Sequence, residues 1–476
     1  MKAILKPSAI AVGVALATSG VANAVSFGEV WVGDQQDGKL YIFDQSELNN
    51  AGFDAQEDTI QLSTAGGTNS TRMHLIGFTN HTGLDPASHA ILSYLQGQAE
   101  VWRTNGGTHA PTLEAVLDVS VVGQGANAKS SLHECANDAS NTRMGCSSIG
   151  NKEVVFFDTD FSTGTYTRLG GFPLTGLTIH PNVGGKTLTA INTAIANGVL
   201  NGSPICGNYS TNGKLYYVVV SGGSPQGGSV LVLDTKNPSN PTLRDAFETT
   251  GVGCELLNDA DGKHMWSSAG SKNDADDEKV YLWKFRHAKK NKKTGPKRTV
   301  DIPEIDKGDI HGGQFAGLGG LFLWETMRLD DIIYIINPSK RNPRIVNSFS
   351  YEFGTNTNPG GDVLDRSAFG TRMYLSLRGA IPTTAITGIN DPNRRPGVMV
   401  MSSHIFGGSG SVLKIEDIQS GNLVDICPSA DEGDPDHDHG NFEVCDNTHI
   451  HYSEHISVDS ADPHGLKSLS YLSGGF

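Results

Sequence analysis

Short aromatic and β-branched runs joined by glycine-bearing turns recur along this chain, and segments with helical apolar periodicity over ten or more residues are few. Residues 27–34, Phe-Gly-Glu-Val-Trp-Val-Gly-Asp, lead through Gln35-Gln36-Asp37-Gly38 into Lys39-Leu40-Tyr41-Ile42-Phe43-Asp44. The Asp-Gly step marks a hairpin, because glycine supplies the positive φ of a tight turn. The signature returns as 214–220 with 229–234, 264–266 with 279–285, and 321–324 with 331–336. Residues 373–376 have 397–400 or 410–415 as partners, while 99–103 and 153–158 add further outer strands. Repeated four-stranded sheets account for this pattern, so the expectation is an all-β, single β-propeller of about seven blades. Glycine at 58 of 476 residues and an apolar content of only 37% fit a core divided among many short elements.

Residues 1–24 read as a signal peptide and 25–476 as the propeller domain. Lys2 and Lys6 precede an apolar stretch from Ala9 to Ala17, and Val21-Ala22-Asn23-Ala24 fits a signal-peptidase site. The apolar stretch is about half of what a membrane anchor needs. The expected location is therefore periplasmic or secreted, with no membrane anchor. The 452 residues after position 24 give about 65 per blade, longer than compact repeats of 40–45, so long loops are expected. Residues 462–472 read as an inner strand just before the end, whereas the chain after position 24 starts with two outer-type strands. The last strand is expected to complete the first blade and remove a free edge.

The formal charge of -15 excludes a general nucleic-acid binder. Export permits disulfides, and the order of the six cysteines suggests Cys135 with Cys146, Cys427 with Cys445, and Cys206 with Cys254. Fifteen pairings are possible, so this rests on a preference for short loops. No close C-x-x-C pair is present for zinc, an iron–sulfur cluster or haem attachment.

Many of the 16 histidines stand near the starts of expected inner strands: His74, His133, His311, His404 and His464. Such starts converge at one end of a propeller's channel, and neutral imidazoles suit copper, zinc, iron or nickel. The bland reading gives these histidines turn and channel hydrogen bonds, with glycines present because the axis is crowded. Pro463-His464-Gly465-Leu466, the approximate cognate Leu174-Thr175-Gly176-Leu177, and strands ending in Asp after Asp-Gly or Asn-Gly turns resemble the YVTN-type propellers. That superfamily includes the propeller of nitrous oxide reductase and thiocyanate dehydrogenase, which has a histidine-ligated multinuclear copper centre at its axis. The resemblance implies copper at His74, His133, His311, His404 and His464, with His449, His451 or His455 added from the last large loop. Glu255 is a candidate proton acceptor in the channel.

A second cluster, Asp431-Glu432-Gly433-Asp434-Pro435-Asp436-His437-Asp438-His439, offers Asp434, Asp436, His437, Asp438 and His439 to calcium or a borderline transition metal. His449 and His451 are available to it by chain reversal. A solvated acidic loop is its simpler reading. Residues 284–298 pack eight lysines and arginines into 15 positions, a candidate surface for self-association or for steering an anion. Haem, zinc-protease, nucleophile-elbow and phosphate-loop motifs are absent. The functional expectation is an exported metal-binding propeller, with copper-dependent oxidation of a small inorganic or sulfur-containing anion as its enzymatic form and a periplasmic electron acceptor as partner. The alternative is a noncatalytic extracellular assembly or protein-binding propeller, stabilised by calcium.

Overall fold

The computed structural model describes residues 28–470 except for short stretches, the longest being 63–72, 80–86, 119–131, 271–277, 383–390, 429–441 and 445–455. Seven four-stranded antiparallel sheets follow one another as blades, and an eighth, three-stranded sheet is added near the end. Blades 2 to 7 begin with the inner strands Met73–Phe78, Leu132–Asn137, Ser203–Tyr209, Leu256–Asn258, Ile310–Ala316 and Gly361–Arg366. Blade 1 takes its second to fourth strands, Gly28–Asp34, Lys39–Asp44 and Glu57–Gln61, from the start of the described chain. Its inner strand is Pro463–Ser470, paired antiparallel with Gly28–Asp34. The ring thus closes by joining the two ends of the chain, as expected. Gly38 adopts φ 61° in the Asp37-Gly38 turn between the second and third strands of blade 1, and Gly213 adopts φ 64° in the turn between the first and second strands of blade 4.

The second and third strands are buried almost throughout, because each blade is covered on both faces by its neighbours. Trp31, Trp266 and Trp324 are wholly buried there. Between blades 3 and 4 the rings of Phe156 and Tyr216 meet edge to face at 5.3 Å, and a Cβ on Gly145 would lie 2.7 Å from the Tyr216 ring. Glycine is required at that position by close packing.

Two elements differ from expectation. Gly185–Ala196 forms a 12-residue helix between blades 3 and 4, burying Thr187, Ile191 and Ala194 against the sheet. Its many threonines and alanines make a short apolar face, which sequence periodicity does not reveal. The three-stranded sheet comprises Leu423–Pro428 between Phe442–Val444 and Ile456–Asp459. It is tied to blade 1 where Asn422 Nδ2 and Ser460 Oγ donate to the Asp37 carboxylate at 2.8 and 2.7 Å. The acidic 431–439 segment falls between its strands and lies outside the described residues, as do residues 1–27.

Deleting residues 463–476 should leave blade 1 without its inner strand and expose the edge of Gly28–Asp34. The expected result is loss of a single cooperative unfolding transition, measured by thermal circular dichroism, with aggregation in size-exclusion chromatography.

A second prediction concerns pH. Asp245 is buried and accepts the N–H groups of Gly295 and Ala246 at 2.9 and 3.0 Å. Burial nevertheless pushes its carboxyl up to about 7, against the opposing hydrogen bonds. In the unfolded chain this group releases its proton near 3.9. Between those values the native state binds more protons, so its contribution to stability falls as pH rises from about 4 to 7. Asp245→Asn should flatten the pH dependence of the urea midpoint across that window.

Candidate metal centre

The axial site is built by a backbone irregularity that repeats around the ring. Pairing between first and second strands slips between Met73 and Leu75, Leu132 and Glu134, Pro204 and Cys206, Ile310 and Gly313, and Gly361 and Leu364. The same slip occurs where Gly465 and Pro463 pair with Gly33 and Asp34. The residues skipped are His74, His133, Ile205, His311 with Gly312, Asp362 with Val363, and His464. A β-bulge frees a residue from the ladder and re-aims its side chain. Here four of the skipped residues are histidines and one is an aspartate.

Second-strand hydroxyls satisfy the backbone that the bulges leave unpaired. The N–H groups of Leu75, Gly312 and Val363 donate to Ser93 Oγ, Thr326 Oγ1 and Ser376 Oγ at 3.2, 2.9 and 3.0 Å. Ser93 and Ser376 also donate to the His133 and His464 carbonyls of the next blade, both at 2.9 Å. The bulged strands approach so closely that a Cβ on Gly465 would lie 2.6 Å from the His74 carbonyl oxygen, and one on Gly312 would lie 2.3 Å from that of Asp362. This crowding explains the His-Gly steps at 464 and 311.

His74 stands between two other imidazoles, with ring centroids 3.6 Å from His133 and 3.9 Å from His464. His464 Nδ1 lies 3.0 Å from the His74 carbonyl oxygen. A carbonyl only accepts, so Nδ1 carries the proton and a neutral ring presents its lone pair at Nε2. That Nε2 is 3.2 Å from Asp362 Oδ2, while His311 Nε2 is 2.9 Å from Asp362 Oδ1. Ligand atoms of His311, Asp362 and His464 all lie within 4.8 Å of one another.

Burial holds His74, His133 and His464 neutral. It pulls His464 down to about 3 despite the Asp362 carboxylate, and it lowers His74 and His133 well below the ordinary histidine value, with neighbouring imidazoles adding to the effect. Asp362 moves the other way from what burial dictates. Burial raises its carboxyl, but His464, His311, Arg328 and Arg378 together outweigh it and hold the group well below its usual range. Arg378 Nη1 bonds Asp362 Oδ2 at 2.7 Å and its fork holds Asp462 at 2.5 and 2.7 Å. Arg328 Nη1 reaches Asp362 Oδ1 at 3.2 Å while its fork holds Asp309. His74 Nδ1 is buried with no hydrogen-bond partner among the described residues.

The structure brings together four of the five expected axial histidines. His404 is corrected: it sits exposed in the turn between Gly397–Ser403 and Gly410–Asp417, donating from its N–H to the Ser409 carbonyl at 2.8 Å. Its following Gly-Gly pair turns an outer hairpin, whereas those after His311 admit a neighbouring inner strand. Leu174–Gly176 is likewise a turn of 3-10 helix after an outer strand, so it is no cognate of Pro463-His464-Gly465-Leu466. Asp434, Asp436, His437, Asp438, His439, His449, His451 and His455 lie outside the described residues.

Two expected disulfides are present. Cys135–Cys146 joins directly opposed residues within blade 3, with Cα atoms 4.1 Å apart. Cys206–Cys254 links the inner strand of blade 4 to the approach to blade 5, at 5.4 Å. Cys445 and the Cys427 side chain lie outside the described residues. Glu255 is half-buried and accepts the Gly313 N–H at 3.0 Å, and burial pushes its carboxyl up to about 8.

Sequence reasoning missed Asp362 and the two arginines. Their signal is a repeat: Trp324-Glu325-Thr326-Met327-Arg328 and Tyr374-Leu375-Ser376-Leu377-Arg378 match in aromatic, hydroxyl, apolar and arginine positions. Each arginine directly follows a buried second strand, and Asp362 follows Gly360-Gly361 at the start of an inner one.

The family models contain no match to this chain, and no curated protein matches it. Solved structures do. A protein from Lactobacillus plantarum is similar at a TM-score of 0.52 and 8% identity, over 82% of this chain and 96% of that one. The β-propeller domain of Cps50 (Swd1) from Myceliophteria thermophila is similar at 0.48 and 8% identity, over 75% and 95%. The first of these likenesses concerns the fold alone, and neither singles out a relation to the YVTN-type propellers.

Arg378→Met should leave Asp362 and Asp462 buried without their shared cation. The expected cost is about 3–5 kcal/mol, read as a lowered urea midpoint. A change below about 1 kcal/mol would contradict the central role of this pair.

Proposed function

We propose that this protein is an exported metal-binding propeller that holds one transition-metal ion at its axis through His311 Nε2, His464 Nε2 and the Asp362 carboxylate. One observation carries the reading: His464 spends its only proton on the His74 carbonyl, and so aims a lone pair at a carboxylate oxygen 3.2 Å away. Two lone pairs facing each other in a buried site repel unless a proton or a metal cation lies between them, and burial disfavours the charged imidazolium. Two imidazoles and one carboxylate fit copper(II) by affinity order and iron(II) by donor type. Among the described residues three ligand atoms converge in this group and one is oxygen, which differs from the multinuclear histidine centre that the resemblance implies.

When bound, copper would supply one-electron redox chemistry. Oxidation of a small inorganic or sulfur-containing anion, with electrons leaving to a periplasmic acceptor, is the finer form of the proposal and rests on the resemblance alone. Of the three ligands only His311 is not wholly buried, with its side chain 16% exposed, and it marks the side from which a substrate would approach.

A second reading has its own observation. Asp362 is already paired with two buried arginines, so the axis also serves as a cross-link among blades 1, 6 and 7 in a noncatalytic assembly or protein-binding propeller. Self-association through residues 284–298, and calcium at 431–439, belong with that reading.

Metal analysis of untagged protein, stripped and reconstituted with copper(II) or iron(II), should find one ion per chain. His311→Ala and His464→Ala should each weaken binding by about 100-fold or more, beyond the usual effect of losing a group outside the ligand set, whereas His404→Ala should not change it. Unchanged binding in His464→Ala would exclude the axial site and favour the assembly reading.

A further inference from the structure

The second cluster of ligand-bearing side chains lies at blades 3 to 5, on the far side of His74 of blade 2, and does not depend on the axial site being filled. His133 Nδ1 faces both sulfurs of the Cys206–Cys254 bridge, at 3.5 and 3.7 Å. Disulfide sulfurs are weak acceptors, so this buried ring nitrogen has no strong polar partner there. The His74 ring packs beside it, tilted by 50° with the centroids 3.6 Å apart. Cys135–Cys146, the other described bridge, has no such imidazole grouped with it.

We infer that Cys206, Cys254 and His133 form a redox-gated metal site: reduction of the bridge creates a two-thiolate, one-imidazole set that takes a single soft or borderline cation, zinc(II) or copper(I). The distances suit this chemistry. With Zn–S near 2.3 Å and Zn–N near 2.0–2.1 Å, tetrahedral angles separate nitrogen from sulfur by about 3.6 Å and sulfur from sulfur by about 3.8 Å. Both nitrogen–sulfur separations therefore stand close to their bound values already. The two sulfurs alone must part, by roughly 1.7 Å from their bonded distance near 2.05 Å. Cys254 can make that movement, since it precedes the inner strand Leu256–Asn258 and belongs to no ladder, whereas Cys206 is fixed opposite Val219. Cys254 is also partly exposed, which gives a reductant its point of attack.

The chemistry balances with a small dithiol as reductant. Its thiolate attacks one sulfur and forms a mixed disulfide, and its second thiol resolves that intermediate. The protein bridge gains two electrons and two protons, and the dithiol leaves as a disulfide. Zinc(II) then displaces the two thiol protons to solvent without changing its own oxidation state. A fourth position is left to water or another donor, as in zinc sites with three protein ligands.

The test uses the full untagged chain and cobalt(II) as a spectroscopic stand-in for zinc. Oxidised protein should show no thiolate-to-cobalt charge-transfer band. After dithiothreitol treatment and anaerobic desalting, the band should rise to one equivalent. Cys206→Ser and Cys254→Ser should abolish it and His133→Ala should weaken it, while a Cys135→Ser/Cys146→Ser double variant and His464→Ala should keep it. Retention in His464→Ala separates this site from the axial one. A reduced, folded chain without the band, or a band that survives Cys206→Ser, overturns the inference. If the reduced chain unfolds, one equivalent of zinc should restore its strand circular dichroism, and failure to do so overturns the inference equally.

Discussion

The antiparallel ladder between Pro463–Ser470 and Gly28–Asp34 closes the ring and also completes the axial site. Closure requires the last strand to enter blade 1 at its inner edge, beside blades 2 and 7. That placement brings His464 against His74 on one side and Asp362 on the other. Asp462, one step before the closing strand, binds the Arg378 fork, and its carbonyl accepts the Gln35 N–H at 3.0 Å. An exposed edge is removed by the same residues that gather the imidazoles.

Around the axis, every junction between neighbouring blades carries a named polar or covalent link. His464 bonds the His74 carbonyl between blades 1 and 2, and Ser93 bonds that of His133 between 2 and 3. Glu134 accepts the Gly207 N–H between 3 and 4, and Cys206–Cys254 joins 4 to 5. Glu255 accepts from Gly313 between 5 and 6, Arg328 holds Asp362 between 6 and 7, and Ser376 returns to the His464 carbonyl between 7 and 1. The bulges make this possible, because they free one or two residues of an inner strand to look sideways instead of along its own ladder. The residues that stitch the ring are therefore the residues, or the neighbours of the residues, with ligand character.

Burial gives that stitching its chemical meaning. In water the same histidines would divide between charged and neutral forms near neutrality. At the axis burial holds His74, His133 and His464 neutral, with lone pairs available, while the groups around Asp362, the two guanidinium groups among them, keep its carboxyl well below the usual range. Neutral nitrogen beside anionic oxygen is the donor set that a divalent ion requires.

Hairpins, the antiparallel blades, the terminal closure and the two described disulfides were legible in the chain, because alternating apolar runs, Asp-Gly turns and cysteine spacing act over short distances. His74, His133, His311 and His464 were legible as a group for a related reason: inner strands begin at one level in any propeller. His404 was misread, since His-Ile-Phe-Gly-Gly looks the same whether its glycines admit a neighbouring strand or turn an outer hairpin. Asp362, Arg328 and Arg378 were passed over because an aspartate after two glycines and an arginine after an apolar run are ordinary until three blades meet. Local sequence thus determined which strands form and which residues stand at their ends. Which of those ends touch was decided by the tertiary structure, through ring closure and the bulges, because ligand geometry depends on side chains hundreds of positions apart being aimed at one point.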